Sequence, residues 1–397
     1  MRPRILIFCD YYLPGFKGGG GMWSVVNLVD RFSGEFDFYI VTRNHDLAET
    51  SPYKDVEPRK WNSIGNAEAY YFESGELTAA RAAQLTKEAN PDIVYLNSTF
   101  SLPVLRFLAA RRKGLISDLP VVLSPCGEMS KAALSIKPLK KKLFLAYAKA
   151  VQLYRGVIWK ASFEADAQDI RTVFGKDLDV MTAPDLAPRS ILPDFSPEWK
   201  PKKVPGKVRF AYLSRISPKK NLAYLLTCLK EIDNGEAVLE IIGPIDDEAY
   251  WRECRTIIDG LPPNVSVSVA GALPNNEAVR RLAESHYFVL PTLNENFGYV
   301  FIEALAAGCP LLTSDNTVWA DIEDKGIGWA ISLGKRRVFL EQIKRCVEMS
   351  DEDYAQMSQR AREYAEAWLS RSEIDEATAR VLSEALSRRP HLVADVR

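Results

Sequence analysis

Glu295-Asn-Phe-Gly-Tyr-Val-Phe-Ile-Glu303 sets two carboxylates, with seven residues between them, on either side of a strand-to-helix turn. The run Tyr287-Phe-Val-Leu290 before it reads as a strand, and Pro291-Thr-Leu-Asn294 takes the chain out of the sheet. From about Gly298, the sequence Tyr-Val-Phe-Ile-Glu-Ala-Leu-Ala-Ala-Gly308 predicts a helix with a glycine stop. In an open parallel sheet, ligands bind at the end where strands run into helices. The amides of Asn296, Phe297 and Gly298 can receive an anion there, because a helix N-terminus carries about half a positive charge. A carboxylate beside a phosphate repels it, so the two glutamates are expected to accept hydrogen bonds from hydroxyls. One anion and two sets of hydroxyls in one crevice describe a nucleotide-sugar. The plain alternative is two glutamates that cap and solvate a buried helix.

A basic pair occurs in the same half of the chain. Val208-Arg-Phe-Ala-Tyr-Leu-Ser-Arg-Ile-Ser-Pro-Lys-Lys-Asn221 runs from a strand into a helix, with Ser217 fitting an N-cap and Pro218 the first helical position. Arg215 then stands at the carboxyl end of the strand and Lys220 in the first helical turn, both able to point into the crevice beside Glu295. A diphosphate carries about two negative charges and gains another as its glycosidic bond breaks, so two preorganised cations would stabilise the departing group. Solvated surface cations are the alternative, and Lys219 fits it. A cation in a first helical turn opposes the macrodipole, which argues for a functional Lys220.

The other half opens with a glycine-rich loop, Asp10-Tyr-Tyr-Leu-Pro-Gly-Phe-Lys-Gly-Gly-Gly-Gly-Met-Trp-Ser24. Four consecutive glycines before a helix permit close backbone approach and positive φ. The glycines lie too far past the strand for a dinucleotide fingerprint, and G-x-G-x-x-G spacing is absent. A flexible surface loop is the competing reading.

Composition sets bounds. A length of 397 residues suggests two or three domains, and 47% hydrophobic content suffices for ordinary cores. The net charge of −1 gives no electrostatic case for a nucleic-acid partner. The first ten residues read as a buried strand, too short for a signal-peptide core. No stretch of about 18 apolar residues suggests a membrane span. Six cysteines at 9, 126, 228, 254, 309 and 346 are scattered without a C-x2-C pair, which argues against structural zinc and a disulfide framework. A cytoplasmic location is the resulting expectation.

The first half alternates strand candidates at 5–9, 36–42, 93–96, 121–124 and 180–182 with helical stretches such as 23–32 and 78–88. The second half repeats the pattern, with strands at 208–213, 239–242, 265–269, 287–290 and 311–313. Such alternation implies doubly wound parallel sheets in an α/β fold. Between the halves, prolines at 193, 197, 201 and 205 mark a linker at 191–206. The expected organisation is a first domain over 1–190, a second over 207–368, and a closing segment over 369–397, helical at 372–387.

The Glu295–Glu303 spacing resembles the E-x7-E signature of retaining glycosyltransferases with the GT-B fold, in particular glycosyltransferase family four (glycosyl transferases group 1). Arg215 and Lys220 resemble that family's R-x4-K donor-phosphate pair, and Gly19 and Gly20 best match its P-x-x-G-G loop. The resemblance implies two Rossmann-like domains facing across a cleft, the second binding the nucleotide-sugar, with the terminal helix crossing back to the first. It assigns the donor sugar to Glu295 and the ribose hydroxyls to Glu303. It also implies metal-independent transfer of a hexose from a UDP-, GDP- or ADP-linked donor to a polysaccharide or lipid-linked glycan acceptor, in cell-envelope polysaccharide biosynthesis. The departing phosphate oxygen would take the acceptor proton, and no cofactor is expected.

Val121-Val-Leu-Ser-Pro-Cys-Gly-Glu-Met-Ser130 is similar to the family's segment ending in His-Gly, with Cys126 in place of the histidine. Glu128 is the nearest ionisable group and a candidate for acceptor contact. The stretch 131–149 is basic and amphipathic, suited to peripheral contact with the inner face of an anionic membrane or to a solvated helix face. His45, His286 and His391 are isolated, so metal ligation is not expected. Asp177-Leu-Asp179 reads as a turn. Two rivals remain: a GT-B nucleotide-sugar epimerase, which needs no acceptor, and a non-catalytic sugar-binding protein.

Overall fold

The computed structural model describes residues 2–192 and 194–389. Pro193 and His391, both singled out above, lie outside the described residues. The chain divides into two units, Met1–Pro188 with Ser372–Arg397, and Arg189–Arg371.

The first unit is built on β1 (Arg4–Phe8), β2 (Asp37–Arg43), β3 (Trp61–Ile64), β4 (Ala67–Phe72), β5 (Ile93–Asn97), β6 (Val121–Ser124), β7 (Val157–Ala161) and β8 (Val180–Thr182). They form one sheet in the order β3-β4-β2-β1-β5-β6-β7-β8. All pairings are parallel except the β3–β4 edge, a hairpin turning at Gly65 with φ of 59°. Parallel strands buried on both faces read as near-continuous apolar runs, and β1 (Arg-Ile-Leu-Ile-Phe) is such a run. Its side chains alternate. Ile5 and Ile7 join one core with Val25, Leu28 and Phe32 of the Gly20–Phe32 helix, while Leu6 and Phe8 join the opposite core with Leu85 and Phe107.

The Ser372–Ser387 helix adds Ala377, Val381, Leu382 and Ala385 to the first of these cores. It is further fixed by Arg31, which pairs with Asp375 at 3.0 Å. Under the sheet, Lys160 of β7 donates to Asp185 at 2.7 Å, both side chains buried.

The second unit holds β9 (Lys207–Leu213), β10 (Glu236–Ile242), β11 (Val265–Gly271), β12 (Tyr287–Leu290), β13 (Leu311–Ser314) and β14 (Gly328–Ile331). All pair in parallel, in the order β11-β10-β9-β12-β13-β14. The segment expected as a linker is bonded to this unit. Lys200 Nζ donates to the Ser285 carbonyl at 2.5 Å. Lys203, buried, donates to the carbonyls of Val347 and Met349 at 2.7 and 3.2 Å, closing the end of the Arg336–Glu348 helix.

The helix expected from Gly298 runs over Tyr299–Ala306. Gly308, with φ of 68°, ends it as a Schellman turn: its amide bonds Leu305 O at 2.9 Å and the Cys309 amide bonds Ala304 O at 2.8 Å.

Gly243, at the end of β10, has φ of +136°, and a Cβ there would sit 2.1 Å from the Ser214 carbonyl oxygen. Gly243→Ala must push the carboxyl end of β9 aside. Denaturant unfolding should show a loss of about 2–3 kcal/mol; an unchanged midpoint would mean that the Ser214 end of β9 yields freely.

Candidate active site

The order of the second sheet reverses between β9 and β12, so the connections leaving these neighbours diverge and open a crevice at their carboxyl ends. Lys220 follows β9 and Glu295 follows β12. The two meet there, Lys220 Nζ donating to Glu295 Oε1, with both side chains largely buried. The loops are also stitched at the Lys219 carbonyl, to which the Leu293 amide and the Thr292 hydroxyl donate at 2.8 and 3.1 Å. Thr292 Oγ1 lies 3.3 Å from Glu295 Oε1 as well. Burial alone would raise the Glu295 carboxyl; the charges of Lys220 and Lys219 outweigh it and hold the group below its ordinary value. Glu295 is therefore a committed carboxylate.

Lys220 does not sit in the first turn of an α-helix. It ends a 3-10 turn, Pro218–Lys220, and Asn221 in the left-handed region (φ 58°) separates that turn from the Leu222–Leu229 helix. Ser217 makes no side-chain capping bond. A kinked entry replaces the expected N-cap because the left-handed backbone of Asn221 breaks the helical path between the turn and the helix.

Arg215 stands at the end of β9 as expected, but its partner is Asp246, at 3.0 Å, in the loop after β10. The ion pair is partly exposed, with 39% of the Arg215 side chain accessible. The structure thus brings Lys220 and Glu295 together and places Arg215 on the β10 side of the crevice. Asp246 was not anticipated, and a lone Asp in a loop carries no pattern that could have marked it.

Asn296 precedes the turn, and Phe297 turns inward. The Phe297 ring stacks on Trp368 (centroids 5.1 Å apart, planes at 28°), and its carbonyl accepts from Trp319 Nε1 at 2.8 Å. Gly298, with φ and ψ of 73°, starts the helix, and a Cβ would come 2.7 Å from the Phe301 ring. The helix is buried nearly all round, and Glu303 is its one acidic or basic residue. Asn275 Nδ2, from the start of the Asn275–Ala283 helix, donates to Glu303 Oε1 at 2.7 Å. Burial raises the Glu303 carboxyl, and the Asn275 bond only partly offsets this. Asn275 follows Pro274 at a helix start, a signal that could have found it.

In the first unit the sheet order reverses between β1 and β5. Gly19 (φ 71°) is the N-cap of the Gly20–Phe32 helix, so Gly20 and Gly21 lie inside that helix and only part of the glycine run is loop. Asn97 Nδ2, at the end of β5, donates to the Gly21 carbonyl at 2.6 Å. Cys126 (φ 52°) contacts Asn97 Oδ1 through its sulfur at 3.1 Å, and burial pushes its thiol up to about 12. It is a neutral thiol, unable to do an imidazole's proton chemistry.

Glu128 accepts from Ser98 Oγ at 2.5 Å, from the Thr99 amide at 2.6 Å and from the Thr99 hydroxyl. Burial raises it, against those bonds and the charge of Lys141. Both of its oxygens tie the β5 loop to the β6 loop. Gly19, Gly20, Cys126 and Glu128 thus gather at the switch point of this sheet.

His286 is buried and accepts from the Arg209 amide at 2.8 Å through Nδ1, while burial lowers the ring to about 4. Among the described residues no group of three or more His, Cys, Asp or Glu side chains is placed to hold a metal ion. No helix among them is long and apolar enough to cross a membrane.

Residues 196–364 match the model of the family described as glycosyl transferases group 1. The chain is 22% identical over 347 residues to the alpha-monoglucosyldiacylglycerol synthase of Streptococcus pneumoniae, covering 82% of this chain and 74% of that protein. Among solved structures, the sucrose-phosphate synthase of Thermosynechococcus elongatus superposes with a TM-score of 0.71 at 13% identity, covering 97% of this chain and all of that one. Anabaena Alr3699/HepE in complex with UDP and glucose superposes with a TM-score of 0.68 at 16% identity, covering 96% and 100%. The second unit therefore carries a glycosyl transferases group 1 domain, and the chain is a glycosyltransferase built on the GT-B fold.

Proposed function

We propose that the protein transfers a hexose, with retention and without a metal, from a nucleotide diphosphate sugar to a hydroxyl of a lipid-linked or polysaccharide acceptor. The observation that carries this reading is the Lys220–Glu295 pair at the switch point of the second sheet, on the loops that lead to Gly298 and the buried Glu303. In the structure Lys220 is balanced by Glu295 and Arg215 by Asp246. A pyrophosphate supplies a denser negative charge and draws both cations, with the amides at the Tyr299–Ala306 helix start completing its cradle.

Glu295, held ionised, is then released to accept hydroxyls of the donor sugar. Glu303 offers its second oxygen to the ribose while Asn275 fixes the first. In the step itself, the bond from the anomeric carbon to the diphosphate oxygen breaks and a bond to the acceptor oxygen forms on the same face. The acceptor proton passes to the departing phosphate oxygen. The similar HepE structure holds UDP and glucose, which makes UDP-glucose the first donor to test. The name of the streptococcal relative makes a diacylglycerol-borne hydroxyl the first acceptor.

Thermal-shift titration against UDP-, GDP- and ADP-sugars tests the donor class, with UDP-sugars expected to raise the melting temperature; no shift with any of the three would refute the nucleotide site. Arg215→Ala, at a partly exposed position, should leave the fold intact and lower kcat by about 100- to 1,000-fold. Wild-type turnover would place the diphosphate elsewhere.

Glu303 supplies a pH test. Its folded-state carboxyl is raised above the unfolded value, so ionising it penalises the folded protein, and that penalty disappears as pH falls below the unfolded carboxylate range. Glu303→Gln keeps an acceptor for Asn275 and removes the charge. The variant should melt higher than the wild type at neutral pH, the gap closing on acidification, while nucleoside diphosphate affinity falls. A lower melting temperature at neutral pH, or unchanged affinity, would contradict this role.

A further inference from the structure

We propose that Asp46 and the Cys126–Asn97 pair are positioning residues for sugar transfer, gripping the glycine-rich turn from both sides and fixing the direction of its free amides. The inference rests on the reading of Gly19 and Gly20 as donor-facing. The turn leaves β1, and β1 lies between β2 and β5 in the sheet. Asp46 follows β2 and Asn97 ends β5, so each neighbouring strand supplies one side chain to the turn.

Asp46 is 3% exposed, and its carboxylate accepts from three main-chain amides. Oδ2 accepts from Phe16 at 2.8 Å and from Lys17 at 3.1 Å, while Oδ1 accepts from Leu47 at 2.8 Å. Hydrogen bonds to an ionised acceptor are about twice as strong as neutral ones, so residues 16 and 17 are held firmly. Gly15 completes the fit, because a Cβ there would collide with the Tyr53 hydroxyl and lie 3.1 Å from the Asp46 carboxyl carbon.

On the other side, buried Asn97 donates from Nδ2 to the Gly21 carbonyl at 2.6 Å. That carbonyl also accepts from the Ser24 hydroxyl at 2.8 Å, so it does not need Asn97 for a partner. Cys126 decides which way the Asn97 amide faces. Its thiol, kept protonated by burial, donates to Asn97 Oδ1 at 3.1 Å. A turned amide would set its oxygen against the Gly21 carbonyl. Cys126 makes this contact from a left-handed backbone, with φ of 52° followed by Gly127 at 75°. Such a conformation is costly for a residue with a side chain, and it persists where the surroundings impose it.

Between the two grips, the amides of Gly18, Gly19, Gly20 and Gly21 donate to no group among the described residues. Free donors on a fixed backbone need no reordering when negative charge develops beside them. A turn gripped for stability alone would direct those amides onto its own chain.

Nucleoside diphosphate release from UDP-, GDP- and ADP-glucose, with water or diacylglycerol as acceptor, measures turnover. Cys126→Ala should lower kcat by about 10- to 100-fold at an unchanged donor KM. Cys126→Ser keeps a donor for Asn97 and should recover most of that loss, whereas a merely packed cysteine would tolerate alanine better than serine. In an Asn97→Ala background, Cys126→Ala should have no further effect. The Asp46 grip has a readout that needs no substrate: Asp46→Asn should speed trypsin cleavage of the native protein after Lys17 by about tenfold. If Asp46→Asn does not fold, the Cys126 and Asn97 variants decide the proposal. Alanine at 126 as active as serine, independent effects of Cys126 and Asn97, or unchanged cleavage after Lys17 would overturn it. A wild type that turns over none of the three donors would remove the transfer reading itself, and the proposal with it, whatever the cleavage shows.

Discussion

The pairing of β9 with β12 is the constraint from which the second unit's chemistry follows. The two strands share only a short register, Phe210 with Tyr287 and Ala211 with Phe288, before they part. One connection then leads toward β10 and the other toward β13. The Lys219 carbonyl, holding both the Leu293 amide and the Thr292 hydroxyl, keeps the divergent loops from separating. The Leu293 half of that stitch is backbone chemistry and survives substitution of the side chains around it, while the Thr292 half depends on its hydroxyl. The stitch delivers Lys220 and Glu295 to each other, and it sets the entry to Gly298, whose left-handed conformation starts the following helix.

Charge inside this protein is handled in two ways. Lys160 with Asp185, and Lys203 with two helix-end carbonyls, are closed arrangements whose partners sit within hydrogen-bond reach. Removing one partner of such a buried pair costs about 3–5 kcal/mol, because the other is left uncompensated. Glu303 is different: it is as deeply placed, yet it has one amide partner and no cation. A fold does not keep an under-compensated carboxylate in an apolar helix for stability. That under-compensation is what the ribose-binding role proposed for Glu303 would use, whereas Glu295 is matched by Lys220.

The doubly wound sheets were legible because their central strands are unbroken apolar runs bounded by helical periodicity. Three kinds of strand escaped. β7 carries Lys160, whose charge interrupts the pattern and is explained only by Asp185, distant in sequence. β3 and β14 are four-residue edge strands of mixed polarity and incomplete burial, and β4, though buried at all but one position, has Glu68 breaking its apolar run. At the site, Glu295, Lys220 and Glu303 were legible as spaced charges next to strand ends. Their partners were harder to read: Pro274-Asn275 marks a helix start but not its target, and Asp246 reaches Arg215 through tertiary packing, which leaves no spacing to read. The 3-10 turn before Leu222 was hidden for a related reason, since Ser217-Pro218 serves equally as a helix start or a turn.

The Ser372–Ser387 helix completes a core whose other members all precede residue 189. The first body of this protein is thus discontinuous along the chain, with the whole of the second body inserted before its last element. On the ribosome, β5 and β6 emerge long before Ala377, Val381, Leu382 and Ala385 exist to cover them. Since domains fold as units during synthesis, the body made later is the first that can close. The earlier one must wait with an apolar sheet face uncovered, and during that interval it is open to chaperone capture or misassociation.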